Sequence, residues 1–141
     1  MSAVTADRNT KSRNVGIGVG EHPIAASTTI YAGTLTMRAE TGGLLKNGAD
    51  TAAHQFAGVA TEYVDNSAGA ASAKYGKVAK TGEYTFETAS TITIANIGDV
   101  FYISDNQTVA LTGDVSNHVA CGVMVDLDGA KPVIRIDGYA I

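Results

Sequence analysis

Apolar and polar residues alternate along this chain in short runs, and nowhere at helical spacing. The clearest run is Ile97 to Leu111. Val100-Phe-Tyr-Ile103 is β-branched or aromatic, the types that fit a pleated surface. Ser104-Asp105-Asn106-Gln107 is turn chemistry, since Asp and Asn bond their own backbone and tolerate positive φ. Thr108-Val-Ala-Leu111 alternates again, so the stretch predicts a hairpin introduced by Gly98-Asp99. Strands are likewise predicted at Thr28–Ala32, Thr34–Met37, Phe56–Val64, Lys77–Phe86 and Val119–Leu127. Val133–Asp137 closes a last hairpin across Asp128–Pro132. Thr41-Gly-Gly43 and Lys46-Asn-Gly48 read as turns, with Asn47-Gly48 matching the two-residue hairpin signal and Leu44-Leu45 between them expected to fill the core. Asp65–Ala73 is a small-residue loop, and Thr91–Ile94 fits either a strand or a short helix. About ten short strands between turn signals predict an all-β domain.

The architecture expected is a small β-barrel or open β-sheet domain, β-tulip-like, with an extended N-terminal arm. The arm covers residues 1–22 and the β-rich body residues 23–141, with structure starting near His22-Pro23-Ile24. Asn14–Gly20 holds too many glycines for a helix and too little side chain for a strand interior. A weak echo links Phe56-Ala-Gly-Val-Ala60 with Ala120-Cys-Gly-Val-Met124. The two segments are expected to pass through equivalent crowded places, where glycine allows close backbone approach.

Composition narrows the function classes. The 141 residues suit one domain, with 45% apolar and 17% charged residues and no Trp. Small residues dominate, so burial yields less per residue and oligomerisation is favoured. The net charge of −4 lacks the footprint of a nucleic-acid binder, so no direct nucleic-acid partner is expected. No apolar run is long enough for a membrane-spanning helix. The first residues lack a basic stretch followed by an apolar core, so synthesis in the cytoplasm is expected.

Candidate chemistry is thin. Gly16-Ile-Gly-Val-Gly20 has the wrong spacing for a dinucleotide fingerprint, and Glu21-His-Pro23 interrupts any following helix. Asp126-Leu-Asp-Gly129 lacks the further ligands of a calcium loop and reads as a turn. His22, His54 and His118 show no zinc spacing. Cys121, alone in an apolar run, reads as a buried inert thiol. No G-x-S-x-G elbow occurs, so neither an enzyme nor a cofactor is expected. Arg8, Lys11 and Arg13 make the arm locally basic, an interaction tail or a solvated one.

In order, the motifs are Gly58-Val-Ala60, the run Val78 to Tyr84, Gly98 to Asp105, Gly122 to Val125, and Val133 to Ile136. This series resembles the capsid decoration, or cement, proteins of tailed bacteriophages, over about residues 24–141. The resemblance implies a structural virion protein on the outer surface of the expanded head. It implies a homotrimer at three-fold and quasi-three-fold positions that bridges major capsid proteins, with no membrane partner. It also implies that the arm runs along the shell, with Arg8, Lys11, Arg13, Val15, Ile17 and Val19 as the capsid-contacting residues. The alternative is a ligand- or glycan-binding β-barrel for host recognition, its pocket lined by Tyr63, Tyr84 and Tyr102.

Overall fold

The computed structural model describes residues 18–137, which hold thirteen short strands and two 3-10 turns. A five-stranded sheet runs in the order β1 (Val19–Pro23), β7 (Tyr75–Ala79), β5 (His54–Ala60), β3 (Leu35–Ala39), β4 (Leu45–Asn47). A six-stranded sheet runs β8 (Thr81–Thr85), β13 (Lys131–Asp137), β12 (Ala120–Asp128), β10 (Val100–Ile103), β11 (Thr108–Ala110), β9 (Glu87–Thr88). β2 (Thr28–Ile30) and β6 (Val64–Asn66) form a separate ribbon. The fold is therefore all-β and built from open sheets; neither sheet closes into a barrel.

The predicted hairpin forms as β10 and β11, with Ile103 opposite Val109. Its turn is held by the Ser104 and Asp105 amides donating to the Thr108 carbonyl and by Gln107 N donating to the Asp105 carboxylate. The closing hairpin forms as β12 and β13, with Asp128 opposite Lys131. Thr91–Ile94 is no strand; it leads into a 3-10 turn at Ile94–Asn96 capped by Thr93.

Other boundaries differ from the pattern. Asn47-Gly48 is not a hairpin turn; the chain reverses between β3 and β4 at residues 40–44. Gly48 serves close approach instead, its amide donating to the Leu35 carbonyl at 2.9 Å. The predicted strand Phe56–Val64 ends at Ala60; Thr61 still donates to the Lys77 carbonyl of β7, and Val64–Asn66 then pairs as β6 with β2. The run Lys77–Phe86 serves two sheets, divided at Lys80, with Gly82 at φ +128° turning the backbone into the second. The first described strand begins at Val19, inside the stretch assigned to the arm. There Gly18 and Gly20 lie against the Lys80 side chain.

The two large sheets repeat one another. In the first, Thr36 opposes Gly58 and Met37 opposes Phe56, so Ala57 is an extra, bulged residue. In the second, Phe101 opposes Gly122 and Tyr102 opposes Ala120, so Cys121 is bulged. Ile24 bridges Leu45 in parallel, and Thr88 pairs with Val109 in parallel, each position sixty-four residues after its counterpart. The hydrogen bonds agree. Ala25 N donates to Leu45 O as Ala89 N does to Val109 O, and Gly33 N donates to Ala60 O as Gly98 N does to Met124 O. The echo around Gly58 and Gly122 is thus the visible part of a repeat that continues through whole ladders.

The repeat explains the core. Leu35, Phe56 and Val59 of the first sheet meet Phe101, Ile103, Met124, Ile134 and Ile136 of the second in one buried cluster. The opposite face of the first sheet is covered by the ribbon, where Ile24, Ile30, Leu45, Ala57, Ala60 and Val78 pack with Val64. Fully burying a side chain such as Phe101 or Ile134 contributes about 1.5–3 kcal/mol. The excursion over residues 61–74, which carries β6, has no counterpart of its length between β12 and β13. The second half holds larger residues instead: Cys121 for Ala57, Met124 for Ala60, Ile134 for Val78.

A Cβ on Gly58 would stand 2.5 Å from the Ala79 carbonyl oxygen, and one on Gly122 would strike the Arg135 carbonyl. Gly58→Ala and Gly122→Ala are each expected to lose about 1–3 kcal/mol in urea unfolding, as overpacked sites do. Gly113→Ala, with nothing within 4 Å, should stay within about 0.5 kcal/mol of the parent.

Candidate functional site

The surface with most to offer is the edge at β1. Among the described residues β1 pairs with β7 alone, so no described strand meets the backbone of its other side. Of the residues proposed to touch a partner, Val19 opens this strand and is 48% exposed. Arg8, Lys11, Arg13, Val15 and Ile17 lie outside the described residues. Gly18 is tied to the sheet junction: its carbonyl accepts from Lys80 N, and its amide donates to Thr81 Oγ1 at 3.0 Å. Thr81 also pairs with Asp137, the last residue of β13. Both ends of the described chain therefore lie beside Lys80-Thr81.

His22 lies in β1, half-buried, with Nε2 enclosed and without a hydrogen-bond partner. Burial holds its pKa below the ordinary imidazole value, and the nearby Lys80 and Arg38 cations push the same way. In the repeat its counterpart is Phe86, which is buried. The ring is thus a neutral space-filler at working pH.

A second construction joins the two halves. The Asp50 carboxylate accepts from the amides of Ser116 and Asn117, both at 2.8 Å, while Asn117 Nδ2 donates to the Asp50 carbonyl. These amides hold the Asp50 pKa below the usual carboxylate value. No local pattern marks Asp50, because its partners are 66 and 67 residues away. The adjoining His118 sits at φ +53° with its ring edge-on to Tyr102, centroids 5.2 Å apart, in the exposed loop the sequence predicts.

The remaining groups are dispersed. Tyr63 pairs with Tyr31 at the exposed end of the ribbon, centroids 5.7 Å apart, while Tyr84 stacks on Phe86 and Tyr102 meets His118 edge to face. The three tyrosines of the proposed pocket are thus each engaged elsewhere. Cys121 is fully buried, its thiol donating to the Phe101 carbonyl and pushed up to about 12 by burial. A thiol so placed is no nucleophile. Asp128 and Gly129 occupy the hairpin between β12 and β13, Gly129 at φ +63°. Among the described residues no three His, Cys, Asp or Glu side chains gather to hold a metal ion. A shallow recess of about 350 Å³ lies beside Asp65, Asn66 and Lys74. Asn66 is committed to structure there, its Nδ2 donating to the Ala25 and Ala70 carbonyls.

No family model, curated protein or solved structure matches this chain. The motifs that carry the resemblance are framework: Gly58-Val-Ala60 lies in β5, Gly98–Asp105 runs into and past β10, and Gly122–Val125 lies in β12.

Two titrations test these placements. A group whose folded pKa is depressed favours the fold above its unfolded value, so protonating His22 opposes folding. Stability is expected to fall as pH drops below about 6.5. His22→Phe, the residue of the second half, should flatten that slope in thermal melts. Asp50 acts in the same sense lower on the scale. Its contribution is present above the unfolded carboxylate value and lost as pH falls through the lower folded value. Asp50→Ala should speed amide hydrogen exchange at Ser116 and Asn117 at neutral pH, leaving β12 and β13 protected.

Proposed function

We propose that this protein is a structural virion component that binds the outer surface of an expanded phage head. There it bridges and stabilises major capsid proteins, as a trimer at three-fold and quasi-three-fold positions. The observation that carries this reading is β1: the edge strand of the described five-stranded sheet, anchored at Gly18, which follows directly on a segment holding three cations.

The physics suits a clamp. Two sheets sharing one core make a stiff body, and stiffness lets load pass from one attachment to another. Seventeen residues ahead of Gly18 span up to about 60 Å when extended, enough to reach a neighbouring subunit. Weak contacts repeated around a symmetric shell add up through effective concentration. A segment that needs two anchor points at one spacing binds only the lattice that offers that spacing, so expanded and unexpanded shells are discriminated.

The alternative of a ligand- or glycan-binding module keeps one favourable observation, the exposed Tyr31–Tyr63 pair. Aromatic rings of this kind serve as stacking platforms as well as protein contacts.

Truncation decides between them. Removing residues 2–17 leaves Gly18 and β1 intact, so the body should melt within a few degrees of the parent. Co-sedimentation with expanded heads should drop at least tenfold. Undiminished head binding by the truncated protein would remove the arm from the mechanism. Failure of the full chain to bind heads, with retention on a glycan array lost in Tyr63→Ala, would favour the alternative.

A further inference from the structure

The repeat shows what the second half lacks. In the first half Ile30 is 1% exposed, because β6 and the excursion around it lie over β2. The equivalent Ile94 is 69% exposed, and Ile97, one 3-10 turn on, is 44% exposed. The backbone here is satisfied locally. Thr93 N donates to Asn96 Oδ1, Ala95 N to Thr93 Oγ1, and Ile97 N to Ile94 O. What remains open is apolar side chain. Beside it stand two exposed carboxylates. Asp99 follows in the same segment, its carboxylate accepting from Asn96 Nδ2, and Asp126 lies in β12 two residues beyond Met124, whose carbonyl accepts from Gly98 N. Neither carboxylate forms an ion pair with a described residue; those pairs are Lys131–Glu87 and Arg135–Asp137.

We propose that this surface receives the segment Arg13–Ile17 of a second copy of the chain. In extended backbone, residues 13, 15 and 17 share one face, and here they are Arg, Val and Ile. The two apolar residues match Ile94 and Ile97, and the cation matches Asp99 and Asp126. The donor is another copy for reasons of reach. From Gly18 the path runs past Thr81 to Asp137, along β13 to Ile134, and across Met124 to Ile97. Strand spacing of about 4.8 Å and a rise of about 3.3 Å per residue make that roughly 20 Å. Val15, three residues ahead of Gly18, reaches only about 10 Å. Its own chain cannot place it on the patch.

Such a contact joins unlike surfaces, segment to patch, so each copy gives one and receives one. A head-to-tail contact closes into a ring when its rotation closes, and a ring of three is the closure that the trimeric reading requires. The inference rests on the trimeric reading above and assigns its contact, leaving Arg8 and Lys11 for the shell.

The test is native mass spectrometry of the full chain, the variant Val15→Asp/Ile17→Asp, and the variant Ile94→Asp/Ile97→Asp. The parent should be oligomeric and both variants monomeric. The first variant changes nothing in the described body, so loss of the oligomer there is not unfolding; a thermal melt checks the second. An equimolar mixture of the two variants retains one working junction and should give a 1:1 dimer and nothing larger. A monomeric parent, an oligomer that survives either variant, or a larger assembly from the mixture would overturn the proposal. Head co-sedimentation separates it from the functional reading. A monomeric parent that binds heads ends this inference alone. A parent whose oligomer depends on both sites but which ignores heads ends the functional reading alone.

Discussion

Two backbone-to-backbone approaches hold this fold in its shape, at Gly58 against Ala79 and at Gly122 against Arg135. At each, a strand comes so near its neighbour that no Cβ fits, and the residue before the glycine is bulged out of the ladder. A bulge bends its strand and shifts side-chain alternation by one residue. That shift sends Phe56 and Val59 to the shared core while Ala57 and Ala60 face the ribbon. Without the bulge, β5 would not divide its side chains between two cores in this way. The glycine makes the bend sterically possible, and the bend makes the layered packing possible.

The halves share this device yet solve the exposed face of their sheets differently. The first half covers small residues with an added ribbon, whose buried Asn66 donates from Nδ2 to two carbonyls. In the second half the equivalent face carries the larger Cys121, Met124 and Ile134, which pack into the core shared with the first sheet, and the segment at Ile94–Asn96 forms a capped 3-10 turn. Both routes exclude water from the sheet. They leave different surfaces: a tyrosine pair on one half, a pair of isoleucines on the other. Divergence on a common frame puts distinct contact surfaces on a single small body.

Load-carrying follows from the same arrangement. The continuous run from Tyr75 to Thr85 belongs to both sheets, and Gly18 and Asp137 meet it at Lys80-Thr81. A force applied through either end of the described chain therefore enters at the seam between the sheets. Asp50 reaches across to Ser116 and Asn117 and ties the halves a second time. A protein whose role is to hold others in place gains from such cross-ties, because the sheets resist separation under shear as well as by burial.

Local patterns carried much of this. Alternation around Val100–Leu111 and the turn at Asp128–Pro132 identified two hairpins, since both depend on neighbours within a few residues. The glycine echo located both crowded crossings. The basic segment ahead of Gly18 was legible from charge alone, although its contacts were not. Local reading failed where a residue answers to a distant one. Asn47-Gly48 has turn chemistry but is used for its small size against Leu35. Val19–Pro23 is poor in side chain yet becomes a strand because β7 supplies a ladder. Tyr63, Tyr84 and Tyr102 share a residue type but no location. The sequence by itself determined which short segments are half-buried and where the chain turns, because side-chain period and turn propensity act over a few residues. Strand order, the division of one run between two sheets, and the bare patch at Ile94 were decided only by tertiary structure. Each depends on which distant backbone arrives to pair or to cover, and that is settled by competition among all the strands at once.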